Sequence, residues 1–332
     1  MKTNLYPVTI AGIGKYTPET VITNNDLEKI LDTSDEWITT RSGIKERRIV
    51  SGNETGASLA VKAGREALEY AGIDPEEIDL IICATSIPDN LYPSTACEIQ
   101  RDLACSNAAA FDITAACSGL IYGLNVARSF IASGIYKKVL LASVDVHSRF
   151  LNWEDRGTCV LFGDGAGAMV LTRSEDEHDD ILFIDIKADG AKSEELKIPL
   201  SGKNCPLVEP NTFKLPHVEM NGKEIYKFAI NTVPESIKKA VDSAGINLND
   251  VDCFVLHQAN IRIIESISSK LGINREKFFV NLHKYGNTSS ASIVIALSEA
   301  IKEGYIKSPS TLVLSGFGAG LTWGTAVIKW RG

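Results

Sequence analysis

Apolar residues in this chain occur in two patterns, short continuous runs and longer segments with helical spacing. The short runs predict buried strands at residues 8–13, 80–84, 108–113, 139–143, 159–162, 168–171, 253–256, 278–282, 311–314 and 325–330. The helical spacing predicts helices at residues 23–31, 58–71, 97–103, 222–244, 261–271 and 290–303. Polar residues 32–48 and the proline-containing segment 199–217 are interpreted as loops. Strands that alternate with helices are typical of a largely parallel or mixed sheet with helices against it.

One cysteine lies where such a strand passes into a helix. Residues 108–113 form the apolar run, a turn of small residues follows, and Cys117 lies in that turn. The helical face after the turn consists of Leu120, Leu124, Ala127 and Ile131. The start of a helix favours a thiolate and offers N–H donors to an oxyanion. A cysteine that only fills space in the core is the commoner alternative.

The chain contains an internal repeat. Residues 67–82 match residues 240–255, with AGI and the apolar positions in common. The acidic run 174–180 is the best boundary between the repeated parts. We therefore expect one fold used twice, with an N-terminal half at residues 1–173 and a C-terminal half at 174–332.

Composition excludes several classes of protein. Hydrophobic residues make up 44% of the 332, and the net charge is −8, which argues against a nucleic-acid partner. The seven cysteines contain no C-x-x-C pair, which indicates reduced thiols in a cytoplasmic protein and no zinc ribbon. We also expect no signal peptide and no membrane association, because no apolar run is long enough.

Two further residues have the position expected of catalytic groups. His257 ends a predicted strand, Asn287 follows a Gly, and both precede predicted helices. Ligands of α/β sheets bind at the carboxyl ends of strands, so we expect both to approach Cys117. The ordinary alternatives are a structural histidine and a turn asparagine. His283 is a second choice for the histidine. The remaining histidines, expected at the surface, are His147, His178 and His217.

Two glycine-rich segments need interpretation. GDGAGA at residues 163–168 fits a dinucleotide-binding spacing, but it is flanked by predicted strands without the required helix, so we reject a nicotinamide site. GFGAGLTWG at residues 316–324 lacks the lysine of a phosphate loop. It is interpreted as a tight turn that lets the backbone approach the active site.

Seven segments together resemble one family, β-ketoacyl-acyl carrier protein synthase III, in the thiolase-like superfamily. In chain order they are DTSDEWITTRSGIKERR, AACSG, DRGT, FGDGAGA, HQANIRII, GNTSSAS and GFGAGLTWG. The resemblance implies a duplicated thiolase-like α/β fold, five-layered αβαβα with two mixed sheets, in a homodimer. It also implies a catalytic triad of Cys117, His257 and Asn287.

The reaction implied by the resemblance is a decarboxylative Claisen condensation. Cys117 takes an acyl group from a short acyl-CoA, and malonyl-acyl carrier protein then loses carbon dioxide and attacks the acyl-cysteine. His257 and Asn287 are the implied donors to the enolate oxygen, and the backbone N–H groups of Cys117 and Ala319 form the oxyanion site. No metal or redox cofactor is implied, because the CoA thioester is a substrate.

Other roles also follow only from the resemblance. Trp37, Arg41 and Arg156 match the residues that hold the nucleotide end of CoA. Gly222 and Asn260 match the tunnel for its pantetheine arm. The implied carrier-protein patch consists of Lys227, Arg262 and Lys270.

Two positions depart from the family pattern. Ala319 stands where many relatives have Gly, so a positive φ there would be less easy. Tyr92 matches the family position that gates the partner's acyl pocket, where Phe is frequent. The starter acyl group is therefore left open.

Three alternatives remain beside initiation of fatty acid synthesis. An acyltransferase of specialised metabolism would share the cysteine and use another starter or acceptor. A cysteine hydrolase would use the same three residue types, although the CG[SA]C[WY] signature is missing. An inactive carrier-protein-binding subunit would not keep all three residues.

Overall fold

The computed structural model describes residues 5–176, 178–200, 202, 207, 212 and 214–332. Much of the loop expected at 199–217 lies outside these residues, as do Cys205 and residues 1–4 of the N-terminal run. None of the described helices is both long enough and apolar enough to cross a membrane.

The strands and helices alternate along most of the chain. The strands are β1 Val8–Tyr16, β2 Val21–Thr23, β3 Glu46–Arg48, β4 Leu80–Ala84, β5 Ala109–Ile113, β6 Lys138–Asp145, β7 Gly165–Arg173, β8 Ile181–Ala188, β9 Leu196–Lys197, β10 Glu219–Met220, β11 Cys253–Leu256, β12 Ser310–Gly318 and β13 Thr322–Trp330. The α-helices are α1 Asn24–Leu27, α2 Asp35–Ser42, α3 Gly56–Ala71, α4 Thr95–Leu103, α5 Gly119–Ala132, α6 Gly222–Ser243, α7 Ile261–Leu271, α8 Leu282–Tyr285 and α9 Ala291–Lys302.

Two mixed sheets form the framework. The first has the strand order β1-β7-β6-β4-β5, in which β4 is parallel to β5 and β6 while β7 is antiparallel to both of its neighbours. The second has the order β11-β12-β13-β8, with only β11 and β12 parallel. All strands of the first sheet precede residue 174, and all strands of the second follow it.

Helices complete five layers. Helices α5 and α9 contact strands of both sheets and therefore lie between them. Helices α3 and α4 cover the outer face of the first sheet, and α6 covers the second with α7 packed beside it. Apolar residues of the central layer and of both sheets form one continuous core. The αβαβα order and the mixed sheets predicted from the sequence are confirmed in a single chain.

Several predicted elements were wrong in detail. Segment 32–48 is not a loop, because it contains α2 and β3. Helix α2 is mostly polar and buries little except Ile38, so its apolar spacing is weak, and it is defined by the Ser34 N-cap and by Gly43 at its end. The strand expected at 159–162 is a turn that ends in an isolated bridge at Phe162. The strand expected at 278–282 is an isolated bridge at Phe278 followed by irregular backbone up to the start of α8 at Leu282.

The acidic run between the sheets is less solvated than its composition suggests. Asp180 is buried, its carboxylate accepts from Arg331 Nε at 2.7 Å, and it also binds the Thr9 hydroxyl. Asp179 pairs with Arg128 at 2.5 Å. These contacts attach the chain where it passes from β7 to β8. The division into halves at 173/174 stays a prediction.

Candidate active site

Cys117 lies in a single 3-10 turn, Ala116–Ser118, between the end of β5 and the start of α5. The predicted placement at a strand–helix junction is confirmed. The predicted apolar face of the helix, which begins at Leu120, is also fully buried. Ala116 has a φ of +45°, an unusual value for a residue with a side chain. Strain of this kind is concentrated at functional sites.

The glycine-rich segment at residues 316–324 approaches the cysteine as an extended strand end. A Cβ atom at Gly318 would lie 2.8 Å from the Cys117 nitrogen, and one at Gly316 would lie 3.0 Å from the Cys117 oxygen. Only glycine allows this approach, so the predicted close approach of this backbone to Cys117 is confirmed, although the backbone is strand rather than tight turn. The positive φ of this segment, +130°, belongs to Gly320 and not to Ala319.

His257 follows β11 directly, and its ring is buried. Its Nδ1 lies 2.7 Å from the hydroxyl oxygen of Ser292. That oxygen already accepts the Gln258 backbone N–H at 3.2 Å, so its own proton is available to Nδ1. When Nδ1 accepts this proton, the single N–H of the neutral ring lies on Nε2. Burial, and secondarily the nearby His147 ring, lowers the pKa of His257 to about 3, so the ring is neutral near pH 7.

Replacing Ser292 with Ala should remove the hydrogen bond that favours the Nε2–H tautomer of His257. We expect the rate of the condensation implied by the resemblance to fall about tenfold, the equivalent of one hydrogen bond, with KM for the acyl-CoA little changed. Ser292→Thr should restore most of the rate because it keeps the hydroxyl. Ser298→Ala is the matched control, since Ser298 is buried on the same helix and its hydroxyl has no partner among the described residues. Equal losses in the Ser292→Ala and Ser298→Ala variants would refute the role.

Asn287 is held by backbone pairing with the segment before β7. Its N–H donates to the Leu161 carbonyl at 2.8 Å, and its carbonyl accepts from Gly163 N–H at 3.0 Å. A side chain at Gly163 would collide with the Tyr285 carbonyl, so glycine is required here. The Asn287 Oδ1 accepts the Ser289 N–H at 2.8 Å. This bond assigns Nδ2, which has no partner within the described chain, as the available donor. Asn287 follows α8 and not the predicted strand.

The Cys117 thiol is not activated in the free protein. Burial raises its pKa to about 12, and this outweighs the hydrogen bond from the Ser289 hydroxyl at 3.4 Å. The expectation that the helix start favours a thiolate is therefore wrong for the unliganded site, because desolvation of a buried sulfur dominates.

Alkylation should show this property directly. We expect the rate constant for modification of Cys117 by iodoacetamide to rise about tenfold per pH unit to pH 10, since the thiolate fraction keeps increasing below the raised pKa. Glutathione, with a thiol pKa of about 8.5, should level off within this range. The Cys117-containing peptide would be quantified by mass spectrometry after short exposures. A plateau below pH 8 would contradict the raised pKa.

Two cavities meet at Cys117. A cavity of about 230 Å³ is lined by Cys117 together with His257 and Asn287, and by Asn260 and Gly222. A second cavity of about 360 Å³ shares Cys117 and Phe162 with the first. The structure therefore brings the three predicted catalytic residues to one cavity wall, and it adds a separate mostly apolar space beside the sulfur.

His147 lines the second cavity, contrary to its predicted place at the surface. It is 7% exposed and lies two residues beyond the end of β6, with the buried Val146 between them. The polar residues after it suggested a surface segment. The available signal was its position just beyond an apolar strand, although Val146 intervenes here, whereas His257 follows its strand directly. By contrast His178 is exposed, and so is His217.

The residues assigned to the nucleotide end of CoA lie together. The Trp37 ring centroid is 4.3 Å from the Arg41 guanidinium carbon and 5.3 Å from that of Arg156. Arg156 also pairs with the Asp32 carboxylate at 3.2 Å. Asn260 Nδ2 donates to the Arg41 carbonyl at 3.0 Å, which connects this group to the smaller cavity.

The residues predicted to bind the carrier protein are exposed on adjacent helices, Lys227 on α6 and Arg262 and Lys270 on α7. Arg262 Nε donates to the Thr40 carbonyl at 3.2 Å, and Lys270 Nζ to Asn231 Oδ1 at 2.6 Å. Within the described part of the chain, the ion-pair partner of Lys227 is Glu224, at 4.0 Å.

Tyr92 lies outside both cavities and is 88% exposed, beside Leu91 at 82%. Over the described ranges, no group of three or more His, Cys, Asp or Glu side chains is arranged to hold a metal ion.

Known proteins resemble the chain over almost its whole length. The family model described as 3-Oxoacyl-[acyl-carrier-protein (ACP)] synthase III matches residues 111–190, and its C-terminal model matches residues 241–330. A Beta-ketoacyl-[acyl-carrier-protein] synthase III of Clostridium acetobutylicum is 48% identical over 97% of this chain and 98% of its own length.

Solved structures agree with these matches. The 3-oxoacyl-[acyl-carrier-protein] synthase III of Aquifex aeolicus superposes with a TM-score of 0.89 at 48% identity, over 97% of this chain and 100% of that one. The priming beta-ketosynthase of the R1128 polyketide pathway superposes with a TM-score of 0.92 at 32% identity, over 100% and 98%.

Proposed function

Because this chain belongs to the 3-oxoacyl-[acyl-carrier-protein] synthase III family of condensing acyltransferases, we propose that it joins a short acyl group, acetyl in the simplest case, to malonyl-acyl carrier protein. The products are a 3-oxoacyl-carrier protein, CoA and carbon dioxide, and the reaction initiates fatty acid synthesis. The observation that carries the proposal is the single cavity wall formed by Cys117, His257 and Asn287.

The first half-reaction transfers the acyl group to the cysteine. The Cys117 sulfur forms a bond to the thioester carbon, and the bond to the CoA sulfur breaks. Because the pKa of this thiol is raised to about 12, its proton leaves as the bond forms, and the departing CoA thiolate takes it. The backbone N–H groups of Cys117 and Ala319 stabilise the oxyanion of the tetrahedral intermediate, which exists after the sulfur attacks and before CoA departs.

The second half-reaction forms the carbon–carbon bond. Malonyl-carrier protein loses carbon dioxide, and negative charge develops on its thioester oxygen. Nε2–H of His257 and Nδ2–H of Asn287 donate to that oxygen as neutral groups, which the hydrogen bonds at Nδ1 and Oδ1 favour. The resulting carbon nucleophile attacks the acyl carbon, and the bond from that carbon to the Cys117 sulfur breaks. The released thiolate takes a proton from solvent, which restores the Cys117 thiol. No metal or redox cofactor enters the balance.

The remaining assigned residues bind substrates. Trp37, Arg41 and Arg156 hold the adenine and phosphates of CoA, since guanidinium and indole faces stack on a base. Gly222 and Asn260 line the passage for the pantetheine arm.

The proposed working unit is a cytoplasmic homodimer in which Tyr92 borders the acyl cavity of the partner. An aromatic side chain that is 88% exposed beside a similarly exposed Leu91 supports an interface there.

Malonyl- and acyl-carrier proteins are acidic partners, and Arg262 is proposed as their main contact. It lies two residues from Asn260, which lines the cavity, so it can position the carrier protein above the passage. We expect Arg262→Glu to raise KM for malonyl-carrier protein about tenfold through like-charge repulsion, while KM for acetyl-CoA stays near wild type. Lys137→Glu, a charge reversal at an exposed lysine outside the patch, is the control. A uniform rise in both KM values would contradict a carrier-specific role.

Intact-protein mass spectrometry tests the whole proposal. After mixing with acetyl-CoA the chain should gain one acetyl group on Cys117, and malonyl-carrier protein should then discharge it as 3-oxobutyryl-carrier protein. An adduct that malonyl-carrier protein cannot discharge would favour an acyltransferase with another acceptor. Release of free acetate as the main product would favour a hydrolase.

A further inference from the structure

His147 is an unusual component of the cavity beside Cys117. Its ring stacks on Phe162, with centroids 4.6 Å apart and planes within 12°. Both residues line the larger cavity, and Phe162 also borders the smaller one. The imidazole is therefore a fixed part of the wall of the space that, under the proposed function, receives the acyl chain.

The ring has no hydrogen-bond partner within the described chain. Its Nδ1 is enclosed and unpaired. Its Nε2 is neither enclosed nor bonded to any described residue, and because the residue lines the cavity, this nitrogen is the one available to a ligand there. Burial lowers the pKa of His147, so the ring is neutral near pH 7. Unlike His257, it has no serine to fix its tautomer, and Nε2 can therefore donate or accept.

The other polar side chains of the cavity are already engaged. Thr114 donates to the Thr85 carbonyl at 3.0 Å. The Thr322 hydroxyl bonds the Ala319 carbonyl at 2.8 Å. Lys197 pairs with Glu194 at 2.7 Å and with Glu219 at 3.5 Å. Ser289 donates to Cys117 at 3.4 Å. Among the described lining residues, Ser86 is the only other one whose side chain has no hydrogen-bond partner. Its hydroxyl oxygen is enclosed, so it is not open to a ligand in the cavity.

We propose that His147 is a specificity-determining residue, and that the cavity selects starter acyl groups with a hydroxyl or carbonyl oxygen on the acyl chain beyond the thioester. A purely apolar chain would remove water from the imidazole and leave its nitrogen unpaired, which is costly. On a starter acyl chain that reaches the imidazole, a hydroxyl would donate to Nε2 or accept from Nε2–H, and a carbonyl oxygen would accept from Nε2–H. Sites built to bind such an oxygen discriminate strongly against analogues that lack it. This inference rests on the proposed function and deepens it.

The test compares starters of equal length. Rate constants for acylation of Cys117 would be measured by intact-protein mass spectrometry with butyryl-CoA, 3-hydroxybutyryl-CoA and acetoacetyl-CoA. The quantity of interest is the ratio of the faster oxygenated starter to butyryl-CoA within each variant. In wild type we expect this ratio to be about ten or more, and in His147→Leu to fall about tenfold.

Two variants separate hydrogen bonding from packing. His147→Phe keeps an aromatic ring to stack on Phe162 but has no polar nitrogen, so it should lose the preference as the Leu variant does. His147→Gln should keep most of it. His178→Leu is the control, since His178 is exposed and borders a different cavity. Thermal melts would establish that each variant is folded.

The outcomes are distinguishable. A wild-type ratio near one, or equal ratios in wild type, His147→Leu and His147→Phe, would overturn the specificity role while acylation itself upheld the proposed function. If no acyl-CoA acylates Cys117 in wild type, the proposed function fails and this inference fails with it.

Discussion

The Cys117→Ala variant should form no acyl adduct with any acyl-CoA, and its condensation rate should fall on the order of 10⁴-fold or more. The physical reason is the loss of the only sulfur on the wall shared by the two cavities among the described residues. Intact-protein mass spectrometry would follow the adduct, and a coupled assay would follow 3-oxoacyl-carrier protein.

The same variant should keep a second activity. His257 and Asn287 are unchanged in it, and under the proposed function their donors act on the malonyl oxygen independently of the acyl-cysteine. We therefore expect slow release of carbon dioxide from malonyl-carrier protein without condensation. This would separate loss of the nucleophile from collapse of the site.

Cys97→Ala is the matched control, because Cys97 is an exposed cysteine on α4. It should acylate and condense like wild type. An acyl adduct that persists in Cys117→Ala and disappears in Cys97→Ala would mean that the nucleophile was assigned to the wrong cysteine.

The sequence was most informative where function depends on local structure. Cys117 could be placed at a strand–helix junction because an apolar run, small residues and a helical spacing follow one another within about two dozen residues. His257 could be placed for the same reason, since β11 and α7 have the bounds that their apolar residues predict. Local patterns of this kind reflect a buried strand or one face of a helix.

Contacts between segments that are distant in the sequence could not be predicted from such local patterns. His147 was assigned to the surface because its neighbours are polar, whereas Phe162 and the segments that line the cavity enclose it from elsewhere in the chain. Asn287 was expected after a strand, but its position is set by pairing with Leu161 and Gly163. The available signal for these long-range contacts was a glycine that no local turn or helix end requires, such as Gly163.

The thiolate expectation failed for a related reason. The start of a helix is a local feature, and it does favour negative charge. The degree of burial around Cys117 depends instead on β12 and on the loop at Ser289, both remote in sequence. Desolvation by these segments determines the direction of the shift in its pKa.

The His257→Ala and Asn287→Ala variants should each lower condensation by about 10²- to 10³-fold, the usual effect of removing one donor from an oxyanion site. The loss should fall on the second half-reaction. Under the proposed function both side chains donate to the malonyl thioester oxygen. Neither removes a proton from Cys117 in that proposal, because His257 has its proton on Nε2 when Ser292 donates to Nδ1. Acetylation of Cys117 by acetyl-CoA should therefore change far less than release of carbon dioxide.

Separate measurement of the two steps decides between a donor and a base. Rapid-quench mass spectrometry would give the rate constant of Cys117 acetylation, and release of labelled carbon dioxide would give that of decarboxylation, with His178→Ala as a control at an exposed histidine. If His257→Ala slows both steps equally, the histidine acts as the base that removes the cysteine proton, and the tautomer inferred from the Ser292 contact is wrong. If only decarboxylation slows, the histidine acts as a neutral donor. The buried, high-pKa thiol then loses its proton only as it attacks, without assistance from the triad.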